Sequence, residues 1–144
     1  MKHLKPYLNY FSSIYSICGG VGLLLQKFFS IYTAMGALMF AATALTAFHF
    51  VKHEHRAPTK AEQHYLAKYC TVHALFWIVA FGILFLVFHA FHHGMASALV
   101  WLKVVLWEAW WASALLLSVY ALTHWGVSLF SFGFLARKHA EKLK

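Results

Sequence analysis

The sequence predicts an all-α integral membrane protein, a four-helix bundle with both termini in the cytoplasm and a short interfacial helix before the fourth span. Three observations predict it. Apolar runs of 18 or more residues recur in a chain that is 62% hydrophobic and only 11% charged, where soluble domains are about one quarter charged. A single hydrophilic stretch, residues 52–68, separates two apolar hairpins. The basic residues gather at the ends of the apolar runs, as positive-inside topology requires. At 144 residues the chain is one transmembrane domain, with spans at about 7–25, 28–51, 69–91 and 109–136.

The first span is short for a bilayer helix. Ser12, Ser16 and Gly20 recur at i, i+4 and i+8, a small-residue face that lets another helix approach closely in lipid. Lys2 and Lys5 precede it, but no small-x-small cleavage site follows, so the helix is expected to stay. Gln26-Lys27 is expected to mark a tight connection. The second span carries another small-residue stripe, Thr33, Ala37, Ala41 and Ala44. In the hydrophilic stretch Pro58 stops the helix, and Thr59-Lys60-Ala61-Glu62 is a capping box in which each end serves the other's amide. A third helix should start near Thr59 with a water-facing first portion (Lys60, Glu62, Gln63, Lys68) and enter lipid near Tyr69. His92-His93-Gly94 ends it. Trp101, Trp107, Trp110 and Trp111, with Lys103 and Glu108, form an interfacial belt on a short helix leading into the fourth span.

Topology follows by counting charges. Lys2, Lys5, Lys52, Arg56, Lys60, Lys68, Arg137, Lys138, Lys142 and Lys144 fall on one side, and Lys27 and Lys103 on the other. The N-terminus, residues 52–68 and the C-terminus are therefore expected in the cytoplasm of a bacterial inner membrane. The same clustering explains the net charge of +8 without nucleic acid, for which no basic recognition motif is present.

The chemistry-bearing residues are few. Cys18 and Cys70 form no C-x-x-C and read as buried thiols. His89, His92 and His93 are the metal candidates, since i, i+4 imidazoles can face one ion. His49 and His53 share that spacing, but lie about 30 Å away across the bilayer and cannot join the same site. For a bis-histidine haem only His49 and His73 approach equal depth, and His124 sits closer to mid-membrane. No acid lies deep in a span, which argues against proton-coupled export. Glu54-His55-Arg56 lacks the asparagine of membrane glutathione enzymes, and no nucleophile constellation or phosphate loop appears. No enzyme activity and no cofactor are expected.

Residues 55–62, His-Arg-Ala-Pro-Thr-Lys-Ala-Glu, and residues 130–138, Phe-Ser-Phe-Gly-Phe-Leu-Ala-Arg-Lys, resemble a family of small four-helix bacterial inner-membrane proteins, mostly of unknown function. The resemblance covers nearly the whole length through span order, the R-x-P-T-x-x-E loop (Arg56, Pro58, Thr59, Glu62) and the aromatic-glycine end of the last helix. Some members resemble TfpM-type accessory proteins of type IV pili. The resemblance implies an accessory or chaperone protein that binds a pilin-like transmembrane helix, with Ser12, Ser16, Gly20, Thr33, Ala37 and Ala41 as packing surface. Other expected partners are the lipid bilayer and, as an open alternative, further copies of the chain. An immunity protein against a pore-forming toxin and a haem or metal protein are the competing expectations.

Overall fold

A computed structural model describes residues 2–29 and 34–143. Among them the chain is all-helical, with five helices: α1 (Lys5–Phe29), α2 (Ala34–Glu54), α3 (Lys60–His93), α4 (Met95–Lys103) and α5 (Trp110–Glu141). A short 3-10 turn, Lys2–Leu4, leads into α1, and π segments occupy Val104–Glu108 before α5 and Ser131–Leu135 within it. Two of the helices, α3 and α5, are long and apolar enough to cross a membrane.

The connection expected at Gln26-Lys27 is corrected, because α1 runs through both residues to Phe29. Glutamine and lysine are good helix formers, and nothing in the pair breaks a helix. Thr33 lies outside the described residues. The start of α3 is set as its capping box requires: Thr59 N donates to Glu62 Oε2 (2.8 Å), and Glu62 N donates to Thr59 Oγ1 (3.3 Å). α2 ends at Glu54, with His55 at φ 53° donating its amide to Val51 O at 2.9 Å. That left-handed position normally takes glycine.

Contacts divide the molecule into two compact units, Met1–Ala74 with Thr123–Lys144, and Leu75–Leu122. In the first, α1 buries Leu8, Phe11 and Tyr15 along one face, with Leu4 of the preceding turn also buried, and packs on α2. α2 buries Thr43, Thr46, Ala47, Phe50 and Val51, and also packs on the C-terminal end of α5. The hydroxyls in this apolar interior bond to their own helices, Thr43 to Phe40 O, Thr46 to Ala42 O and Thr71 to Ala67 O. Such back-bonding gives each of these three buried hydroxyl protons an acceptor.

The first portion of α3 is not uniformly water-facing. Glu62, Leu66, Ala67, Cys70, Thr71 and Ala74 form its buried face, while Lys60 and Lys68 are exposed. Gln63 turns inward too, donating from Nε2 to Leu129 O at 2.8 Å. Buried Gly133 lies under this amide, and a Cβ there would stand 2.5 Å from Gln63 Nε2. The glycine admits the side chain of α3 against the π segment of α5, an insertion of the kind that distorts helices locally.

The second unit holds the later part of α3, α4, the first π segment and the start of α5. Gly94, at φ 86°, turns the chain between α3 and α4, a conformation that strains any other residue. His89 Nε2 and Ser97 Oγ meet across this turn at 2.9 Å. Of the unit's large apolar side chains, many are exposed, Phe91 at 83%, Trp107 at 79% and Leu116 at 70%.

A double-mutant cycle tests the fit of Gly133 to Gln63. Gly133→Ala should cost about 1 kcal/mol more when Gln63 is present than in a Gln63→Ala background, because only then does it displace a hydrogen-bonded amide. Denaturant unfolding in detergent micelles measures it, and equal costs in both backgrounds would refute the coupling.

Candidate functional site

The densest polar cluster sits where α1 begins, α2 ends and α3 begins. Arg56 grips Glu62 with both arms, Nη1 to Oε2 at 2.7 Å and Nη2 to Oε1 at 2.8 Å. Thr59 N adds a third hydrogen bond to the same carboxylate. His3 Nε2 stands 3.2 Å from Glu62 Oε1 and donates in the tautomer that carries its proton there. On the other side of the guanidinium, Glu54 Oε2 lies at 3.6 Å, and Glu54 Oε1 accepts the Tyr7 hydroxyl at 2.8 Å. The Arg56 guanidinium also lies 5.6 Å from the centre of the buried Phe50 ring, within cation–π range.

This chemistry fixes charge in place. The Arg56 guanidinium, and then the Thr59 and His3 donors, hold the Glu62 carboxyl well below the usual carboxylate range against the opposing effect of burial. The Arg56 guanidinium is in turn held protonated, mainly by its hydrogen bonds to Glu62. A carboxylate so fully coordinated is neither a general base nor a proton carrier at neutral pH. Pro58 and Thr59 place the connection so that Arg56 can reach forward by six residues. Of the four loop residues singled out in the sequence, Arg56, Pro58 and Thr59 lie in the connection and Glu62 in the first turn of α3, and Arg56, Thr59 and Glu62 are joined by hydrogen bonds.

A second cluster lies deeper and joins α1, α3 and α5. His124 is buried, with the Phe11 and Tyr15 rings edge-on at 5.7 Å each. Its Nδ1 lies 3.3 Å from Thr71 Oγ1 and 3.4 Å from Ser128 Oγ. One turn further on, Ser131 Oγ donates to Thr43 Oγ1 of α2 at 3.3 Å. Sequence reasoning placed His124 by depth alone and missed this cluster. Its signal is in the sequence: His124, Ser128 and Ser131 are polar at i, i+4 and i+7 on an otherwise apolar helix, which puts them on one face.

The histidine candidates distribute differently. His49 stacks on Tyr10 at 4.1 Å and touches His53 at 4.4 Å, with no contact to His73 among the described residues. His89 lies 4.6 Å from His93, ring centre to ring centre, and its Nε2 is engaged with Ser97. Among the described residues no three His, Cys, Asp or Glu side chains gather closely enough to hold a metal ion, so His89, His92 and His93 are not brought together as one.

The small-residue faces are only partly used. Ser12, Ser16 and Gly20 flank the buried face of α1, and a Cβ added at Gly20 would meet nothing within 4 Å. Ala37 is exposed and Ala41 half-buried.

The fold and clusters define an all-helical chain with two helices long and apolar enough to cross a membrane, and a polar network at one set of helix ends. No family model, no curated protein and no solved structure matches the chain.

The coordination of Glu62 has a pH signature. Its folded-state ionisation lies below that of an unfolded chain, so its stabilisation is complete above about pH 4.3 and is lost as pH falls further toward the folded value. Glu62→Gln should cost about 2 kcal/mol at neutral pH and flatten the acid limb of the stability profile. Thermal unfolding in detergent between pH 7 and pH 3 measures both effects, and an unchanged acid limb in the variant would contradict the assignment.

Proposed function

We propose that the chain is a small multi-pass protein of a bacterial inner membrane, a four-helix bundle with both termini and residues 52–68 in the cytoplasm. Its function is to bind and hold the transmembrane helix of a partner, a type IV pilin waiting in the bilayer, without catalysis. The observation that carries this reading is apolar surface the chain does not cover itself. Only 6% of the most apolar window of α3 is buried. The stretch from Tyr69 to Phe91 is about 34 Å long at 1.5 Å per residue, enough for a hydrocarbon core of about 30 Å.

Glycines add to this support. At Gly20, Gly82 and Gly126 an added Cβ would meet nothing within 4 Å, so among the described residues none of the three is spent on close packing. In lipid, helix association depends on such close approach because burying apolar surface gains little there. Exposed Trp101, Trp107, Trp110 and Trp111 suit the headgroup region at the far ends of α3 and α5. The ten bases on the opposite side suit the cytoplasmic face. The loop and last-helix motifs resemble a family of small inner-membrane proteins mostly of unknown function, some members of which resemble pilus accessory proteins, and that resemblance agrees with this role.

Two experiments test the two halves of the proposal. In a Cys18→Ala, Cys70→Ala background, Ser97→Cys should react with an impermeant thiol reagent in intact cells. Lys142→Cys should react only after permeabilisation, and the reverse pattern would reject the topology. For the partner, the chain should co-purify with pilin in mild detergent, and Gly20→Leu or Ala37→Leu should reduce the recovered pilin severalfold. Unchanged pilin level and piliation in a deletion strain would end the pilin assignment.

A further inference from the structure

A cleft of about 220 Å³ opens beside the polar network, lined by His55, Arg56, Ala57, Arg137, Ala140 and Glu141. It combines the end of α2 and its connection with the last turns of α5, all within the first unit. Its charges are not equivalent. Arg56 is already matched by Glu62 and Glu54, as the network geometry shows. Its terminal nitrogens are engaged by Glu62, Glu54 and the Ala57 carbonyl, so its guanidinium is a fixed wall that adds little net charge.

Arg137 is different. Its Nε donates to Gly133 O at 3.0 Å, which anchors the side chain and leaves the two terminal nitrogens outside that bond. Glu141 lies one helical turn further along the same face. Neither residue forms an ion pair among the described residues, although i, i+4 spacing would permit one between them. The cleft thus presents one uncommitted cation and one uncommitted anion over a floor of two alanines.

From this pairing we infer that the cleft binds a phosphoethanolamine group. The phosphate would meet the Arg137 guanidinium, with the fixed Arg56 beside it, and the primary ammonium would donate to the Glu141 carboxylate. Guanidinium matches phosphate in shape as well as charge. Glu141 is what separates this ligand from its relatives. An anionic phospholipid such as phosphatidylglycerol brings the same phosphate but no ammonium to offset the carboxylate, and a quaternary ammonium has no N–H to donate to it. The inference rests on the membrane placement proposed above insofar as the group is the head of phosphatidylethanolamine. Free phosphoethanolamine offers the same chemistry in solution.

The test is native mass spectrometry of the purified full chain, exchanged into equal mixtures of phosphatidylethanolamine, phosphatidylcholine and phosphatidylglycerol. Phosphatidylethanolamine should be retained severalfold over both others. Arg137→Gln should abolish that preference, and Glu141→Gln should abolish it while raising phosphatidylglycerol retention. Both side chains are exposed, so neither change disturbs the packed interior. Equal retention of the three lipids, or a preference untouched by both variants, overturns the site. A parallel arm measures the thermal shift of the same protein with free phosphoethanolamine and with inorganic phosphate. A shift with phosphoethanolamine alone, abolished in both variants, assigns the site to the soluble group. A chain that stays in solution without detergent overturns the membrane placement, and in that case the thermal-shift arm still decides the cleft.

Discussion

The Glu62 carboxylate collects hydrogen bonds from three separate stretches of chain: the turn before α1, the connection after α2 and its own helix start. That convergence ties the start of α3 to the ends of α1 and α2, which Tyr7 and Glu54 also join directly. Surface ion pairs of this kind add little stability one at a time. Here the two-armed geometry, the capping amide and the low exposure of the Glu62 side chain, 10%, act together. The carboxylate tolerates its partial burial because every lone-pair direction has a donor. The result is a fixed angle between the helix ends, which a flexible connection of five residues could not impose.

Below that ring of charge the helices are held by smaller polar groups at matched heights. Gln63 reaches the Leu129 carbonyl, Ser131 meets Thr43, and Thr71 and Ser128 flank His124. In an apolar interior each such group would be costly alone, so the pairs specify which faces meet. The space opposite Gln63 exists because residue 133 has no side chain. The first unit is therefore specified by polar matching more than by bulk, and its largest fully buried side chains, Phe11, Phe50 and Phe132, fill what the matching leaves.

Much of this is legible in the sequence. Pro58 and the Thr59–Glu62 capping box announce the start of α3, and apolar length announces α3 and α5. What the sequence hides is direction. Glu62 and Gln63 look solvent-facing because charged and amide side chains usually are. They turn inward because they lie on the same face as Leu66, Cys70 and Thr71, and because Arg56 and Leu129 O await them. Gln26-Lys27 looks like a connection because it is polar between apolar runs, yet polarity alone does not end a helix. The His124 cluster was hidden for the opposite reason. One histidine in an apolar span looks incidental until Ser128 and Ser131 are placed on its face and Thr71 is brought across from α3.

The two units differ in a way that bears on where function lies. The first has spent its polar groups on one another: Glu62, Glu54, Tyr7 and Arg56 form a closed set, and a closed set has little chemistry to offer. At its edge Arg137 and Glu141 form no ion pair among the described residues. The second unit has almost nothing to spend. Ala98 is its one buried apolar residue among the described ones, and its phenylalanines, leucines and tryptophans face outward. In water such a surface would be a liability, because soluble monomers rarely expose large contiguous apolar patches. It makes sense where hydrocarbon, or another helix within hydrocarbon, covers it.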